Sequence, residues 1–235
     1  MKKIIASIIL GIPYVGVAWA NPESEWKGEA EVGAVLTSGN TETQNVNAKA
    51  KLVNERDKWK HTAKLEIMSS SSDSETTAER YFASGKSDYK LSDKNYLYGL
   101  ITYENDRFSG YDYRTNESLG YGRHLIKRDN LTLDAEAGAG ARQSKLRTGS
   151  SENEGVFRLA GALNWKISAA SIFSEDLSFD IGENQTVSKS VTGLKTQIVG
   201  SLATKITYTV KNTSDVPPGV KTTDTETAVT LVYSF

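Results

Sequence analysis

Cysteine is absent from the 235 residues. Its absence excludes disulfides and thiolate metal sites, and removes the residue on which a bacterial lipoprotein carries its lipid. Charge of one sign is missing too: the formal net charge is -1, so there is no basic excess for a nucleic-acid partner. Beyond the first twenty residues no apolar run reaches the roughly 20 residues that a helical membrane span needs. With 38% hydrophobic residues and a mean hydropathy of -0.44, the composition is that of a water-soluble protein. It equally suits a membrane β-barrel, in which only the outer face has to be apolar.

What is present begins with Lys2 and Lys3, an apolar stretch from Ile4 to Ala18, and Ala18 and Ala20 in an A-x-A arrangement before Asn21. This is the pattern of a secretory signal peptide, so residues 1–20 are expected to be cleaved and residues 21–235 to form one exported domain.

From Trp26 onward the dominant pattern has a period of two, the signature of strands with one apolar and one polar face. Trp26, Gly28, Ala30, Val32, Ala34 and Leu36 oppose Lys27, Glu29 and Glu31. Val46, Ala48, Ala50 and Leu52 oppose Asn45, Asn47, Lys49 and Lys51, and Trp59, His61, Ala63, Leu65 and Ile67 oppose Lys60, Thr62, Lys64 and Glu66. The alternation is cleanest from Leu131 to Arg142, where leucines and alanines oppose Asp134 and Glu136. The inner faces of 96–103 and of the glycine-spaced run 115–125 are not separable by pattern. The last stretch puts Thr227, Val229, Leu231, Tyr233 and Phe235 in one row, ending on two aromatics as a strand does where lipid meets water. Tyr233 and Phe235 have the form of an assembly signal for outer-membrane barrels.

About twelve strands of about 9–12 residues result, long enough to cross a bilayer at a tilt. Between them, polar segments alternate long and short. Ser69–Glu75, Glu104–Arg114, Gln143–Gly155 and Gly182–Ser188 read as loops; Asn54–Lys58, Leu91–Asn95 and Ile126–Asn130 read as short links. Long extracellular loops, short periplasmic turns and an even strand count predict a single all-β, antiparallel up-and-down transmembrane β-barrel of the bacterial outer membrane, with both termini periplasmic.

The turn T-S-G-N-T-E-T (Thr37–Thr43), the segment Y-E-N-D-R-F-S-G-Y-D-Y-R (Tyr103–Arg114) and the ending P-P-G-V-K-T-T-D-T…L-V-Y-S-F resemble the salt-induced outer-membrane proteins, a YdiY-like family defined by a domain of unknown function. The resemblance covers nearly the whole mature chain. It implies an outer-membrane barrel and a place in envelope or salt stress, and it implies no activity.

Two sets of residues are candidates for function. The first is the polar row expected to face the lumen: Glu29, Glu31, Lys49, Lys51, Lys60, Lys64, Lys86, Asp134 and Glu136. These charges either line a narrow, porin-like path for ions or small polar solutes, or pair across the lumen and close it, leaving a structural or surface-binding barrel. The second is the segment holding Asp106, Arg107, Phe108, Tyr111, Asp112, Tyr113 and Arg114. Its aromatics and charges suit a sugar or a lipopolysaccharide headgroup, and equally suit an aromatic girdle grading into a solvated loop.

A hydrolase on the barrel wall would need a histidine and a serine in hydrogen-bond reach; the sequence places the serine cluster Ser69–Ser72 at the opposite end from both histidines. A rim protease would need a histidine beside Asp106 and Asp112, and no calcium loop is spelled out. The expectation is therefore a non-enzymatic protein without metal or cofactor, with no catalytic residues. Its expected partners are outer-membrane lipid and lipopolysaccharide and, during biogenesis, the barrel assembly machinery and periplasmic chaperones. A monomer is the expected state.

Overall fold

A computed structural model describes residues 25–38, 44–72, 75–107 and 109–235. Residues 1–20, expected from their pattern to be a signal peptide, and Phe108 lie outside the described residues. Twelve strands follow in order: β1 (Glu25–Ser38), β2 (Gln44–Glu55), β3 (Trp59–Ser72), β4 (Glu75–Lys90), β5 (Asn95–Asp106), β6 (Tyr111–Arg128), β7 (Leu131–Leu146), β8 (Ser151–Lys166), β9 (Ser171–Gly182), β10 (Thr186–Val199), β11 (Leu202–Thr213) and β12 (Thr223–Ser234). Each pairs antiparallel with its sequence neighbours, and β1 pairs with β12, so the sheet closes into a barrel without an edge. Closure is what a membrane demands, because lipid offers no partner for an unpaired backbone amide or carbonyl.

The seam closes through Phe235. Its amide donates to the Gly28 carbonyl at 2.9 Å and its carbonyl accepts from the Gly28 amide at 2.7 Å. Its ring covers Gly28 so closely that a Cβ there would fall within the ring.

Outward rows are mostly apolar across the middle of the wall, with Leu65, Ile67, Ile101, Leu119, Leu159, Leu177, Ile206, Val229 and Leu231 all exposed, and they also carry Glu117 and Glu175. Aromatics bound this band. Trp26, Trp59, Tyr121, Trp165, Tyr233 and Phe235 ring the end that carries the C-terminus, here the terminal end, and Tyr81, Tyr103, Tyr113 and Phe157 mark the opposite end. Two aromatic girdles around an apolar band form the surface of a transmembrane barrel.

Several segments read as loops are strand. β3 and β4 run through Ser72 and from Glu75, only 107–110 separates β5 from β6, only 147–150 separates β7 from β8, and only 183–185 separates β9 from β10. The reason is that ladder bonds are made by backbone. Where the hairpins extend beyond the apolar band, both faces are polar and the period-two signal vanishes although the pairing persists. The contrast of long and short connections is correspondingly weaker than the sequence implies. The described ones are 56–58, 91–94, 129–130, 167–170 and 200–201 at the terminal end, against 107–110, 147–150, 183–185 and 214–222 at the other.

The two strands without a legible inner face are explained together. Tyr96 and Tyr98 point inward and are 4% and 2% exposed. Their rings occupy the space above Gly122, Gly120 and Gly138, where any Cβ would collide with a tyrosine. The glycines of β6 and β7 are a shelf for the tyrosines of β5, and this buries two large rings against one side of the barrel.

Candidate functional site in the lumen

Because a closed barrel assigns every second residue to its interior, the polar rows converge there. All nine expected lumen residues, Glu29, Glu31, Lys49, Lys51, Lys60, Lys64, Lys86, Asp134 and Glu136, lie on inward rows. Most of them are paired. Glu29 Oε1 accepts from Lys195 Nζ at 2.5 Å, and Glu31 Oε1 from Lys205 Nζ at 2.9 Å. Lys86 Nζ bridges Glu136 (2.5 Å) and Asp88 (2.9 Å), while the Tyr96 hydroxyl donates to Glu136 at 2.7 Å. Asp134 holds Nδ1 of His124 at 2.6 Å, so His124 faces the lumen rather than the lipid.

Toward the end opposite the termini these pairs become a crossing. Arg80 Nη2 on β4 reaches Glu226 Oε2 on β12 at 3.0 Å and Glu66 at 3.6 Å, and Lys49 lies 3.6 Å from Glu226 and 4.0 Å from Glu66. Lys211 on β11 donates to Glu104 on β5 at 2.5 Å, and Lys189 Nζ on β10 sits 5.4 Å from the ring centroid of Phe82 on β4. β5 and β11 stand six strands apart in either direction round the wall, as do β4 and β10. These two contacts therefore bridge the barrel from side to side. Beside them Arg142, 1% exposed, is clamped by Glu154 Oε1 (2.9 Å), Asn116 Oδ1 (3.1 Å) and the backbone carbonyls of Asp180 (2.9 Å) and Gln185 (3.2 Å). Such partly buried ion pairs hold their geometry because an unpaired charge in the same place costs far more than the pair.

Toward the terminal end the interior is wetter. Lys51 and Asp176 both point inward and are exposed, and Lys51 stands beside Lys64 as its register partner. The lumen is thus solvent-exposed beside a basic arc on β2 and β3 at the terminal end and crossed by ion pairs toward the other.

The six described residues of the 106–114 set (Asp106, Arg107, Tyr111, Asp112, Tyr113 and Arg114) do not form one surface loop. Tyr111 and Arg114 are buried at the barrel mouth, where the Arg114 guanidinium lies 4.1 Å from the Tyr111 ring centroid and the Tyr111 hydroxyl accepts from Gln185 Nε2 at 3.1 Å. Tyr113 faces outward against Tyr103, with centroids 6.2 Å apart. Asp106 ends β5, Arg107 caps the turn and pairs with Glu79 at 3.3 Å, and Asp112 sits at an irregularity of the β6–β7 register. This dispersal follows from the bulge at Asp112, which breaks the alternation that would have kept the aromatics on one side.

Pattern reading also missed residues. Glu104 falls in a segment read as loop, Lys189 falls between a segment read as loop and a weakly alternating run, and Arg80 and Lys211 lie on legible polar rows whose partners across the barrel depend on closure. A second pair was not anticipated at all. On the outer wall His61 Nδ1 and Ser87 Oγ are 2.9 Å apart, brought together by the β3–β4 register.

Comparisons with known proteins agree with this fold. Residues 30–235 match the family model described as a protein of unknown function, DUF481. The chain is 28% identical over 222 residues to the uncharacterized protein YdiY of Escherichia coli (strain K12), spanning 92% of this chain and 86% of that protein. Among solved structures, the NanC porin superposes with a TM-score of 0.60 at 11% identity, covering 87% of this chain and 98% of the porin. The KdgM porin, solved with disordered oligogalacturonate, gives 0.50 at 12% identity, covering 88% and 99%. The translocator domain of the autotransporter NalP from Neisseria meningitidis gives 0.50 at 13% identity, covering 94% and 91%. With a closed twelve-stranded porin-like barrel and a family match that runs from residue 30 to residue 235, the chain belongs to the DUF481 family.

Proposed function

We propose that this protein is a narrow channel of the bacterial outer membrane, passing ions or small polar solutes, with both termini on the periplasmic side. The observation that carries the reading is the inner wall itself: charged along its length, solvated around Lys51 and Asp176, and crossed at one level by Glu104–Lys211 and Arg80–Glu226. Charged rings at a constriction choose among ions by sign and by size. The vestibule's lysine arc favours anions at the entrance, and the crossed pairs set the narrowest point.

Export rests on the signal-peptide pattern of residues 1–20, and outer-membrane residence on the closed wall with its two aromatic girdles. Lipid and lipopolysaccharide are then its surroundings, and the barrel assembly machinery and periplasmic chaperones deliver it. No catalysis is part of the proposal.

The test is unitary conductance of the refolded residues 21–235 in a planar bilayer, after a heat-dependent gel shift has certified the barrel. Discrete steps with a preference for anions are expected. A folded barrel that never conducts would replace the channel with a second reading, a closed structural or surface-binding barrel, which the same cross-lumen pairs favour.

A further inference from the structure

The outer wall carries a depression of about 760 Å³ that the lumen does not explain. Its floor is shallow because Ala63 on β3, Gly85 on β4 and Gly99 on β5 present almost no side chain to the lipid, and its flanks are Leu52, Ile101 and Leu119. All six lie on outward rows. The volume falls in the range of small-molecule sites and the lining is apolar. At the end next to the girdle stand His61 and Ser87. The His61 ring is stacked on Trp59, with centroids 5.6 Å apart and planes at 11°, and Trp59 in turn packs on Tyr89. Trp and Tyr mark headgroup level in a barrel wall. Glu117, a polar side chain on the same outward row as Leu119, borders the far end of this apolar lining.

We infer that this groove holds a glycerophospholipid of the leaflet at the terminal end, with one acyl chain over Gly85 and Gly99 and its ester and phosphate oxygens at the His61–Ser87 pair. Once His61 Nδ1 and Ser87 Oγ are hydrogen-bonded to each other, the pair keeps one free donor for such an oxygen: Nε2–H when the hydroxyl donates to Nδ1, the hydroxyl when Nδ1 donates. Charge completes the fit. The adjoining turns and strand ends expose Arg56, Lys58, Lys94 and Arg123 against Asp57 and Asp93, a basic excess facing the phosphate level. The occupant is bound and not cleaved. An acyl-ester hydrolase needs free donors aimed at the developing oxyanion, and here the neighbouring backbone amides are committed to the sheet ladders. The inference is independent of whether the lumen conducts.

The test uses residues 21–235 reconstituted in phosphatidylglycerol–phosphatidylethanolamine vesicles, doped with phosphatidylglycerol bearing a photoreactive group on one acyl chain. Crosslinks should concentrate on β3–β5. Gly85→Leu fills the groove at an ordinary contact distance, its Cβ 3.7 Å from Ile101, and should remove most of that signal. Gly161→Leu, an outward glycine with its Cβ 3.6 Å from the nearest atom, is the matched control and should leave it unchanged. The heat-dependent gel shift reports folding of both. Ser87→Ala combined with His61→Ala should lower the number of phospholipids that survive detergent washing, read by native mass spectrometry. Crosslinks spread evenly round the wall, or a groove signal indifferent to Gly85→Leu, would overturn the inference. Free fatty acid released by the wild type and lost in Ser87→Ala would overturn it in favour of an esterase.

Discussion

Phe235 and Gly28 exchange two backbone hydrogen bonds, and the Phe235 ring covers the glycine from the lipid side. The final side chain is thus the outer cover of the barrel's one non-sequential seam. Gly28→Val should block that cover, because its side chain needs the volume the ring occupies. The expected outcome is slower or failed barrel closure, seen as loss of the heat-shifted gel band on refolding into vesicles. Phe235→Ala combined with Gly28→Val should recover part of it.

The constriction gives a conductance prediction. Glu104→Gln removes the charge that draws Lys211 across the barrel, so the lysine is free to fold back toward its own wall and the bore widens there. Unitary conductance should rise severalfold over wild type. An unchanged or lower conductance would mean that this crossing is not the narrowest point.

Selectivity should depend on the vestibule more than on the crossing. Lys49 is held within the constriction network, whereas Lys51 is exposed to the lumen. Lys51→Glu should move the reversal potential in a salt gradient toward cation preference, while Lys49→Gln should chiefly alter conductance. The two variants therefore separate the wet basic arc from the paired one.

Ionic strength acts on the same pairs. The screening length falls from about 8 Å at 0.15 M to about 3 Å at 1 M. The crossing side chains are only 8–20% exposed, and such partly buried pairs are screened far less than surface ones, so unitary conductance should rise in proportion to the bulk conductivity of the bath. A rise faster than proportional would mean that salt opens the crossing.

Arg142 provides a stability prediction. Its guanidinium is almost wholly buried, and Arg142→Ala leaves Glu154 without its cation, a change that costs on the order of 3–5 kcal/mol when an ion pair of this burial loses one member. Arg142→Met with Glu154→Gln removes both charges and should cost far less. Urea titration of the refolded barrel in vesicles measures the difference.

Much of this was legible in the residues. The rows containing Glu29, Lys49, Lys64 and Glu136 are written at period two, and a closed sheet has only one polar side to give them. The strand count and the aromatic girdles follow from the same rule. Glu104 was illegible because the hairpin that carries it is polar on both faces, so nothing marks where strand gives way to turn. The partners of Lys189 and Lys211 were illegible for another reason. A contact across a barrel depends on how the sheet curves and staggers, and no local pattern records that. His61 and Ser87, 26 residues apart, meet only once the β3–β4 register is fixed.

The shelf of glycines beneath Tyr96 and Tyr98 makes the bore eccentric. Two packed phenol rings thicken the wall from β5 to β7, while β10 and β11 on one side of the seam and β1 to β3 on the other carry long, jointed lysines. In the channel proposed above, a solute would meet a stiff surface on one flank and a compliant one on the other. The stiff flank imposes an upper limit on size, and the compliant flank answers to charge. Trimming Tyr98 and trimming Lys211 would therefore change different properties of the same opening.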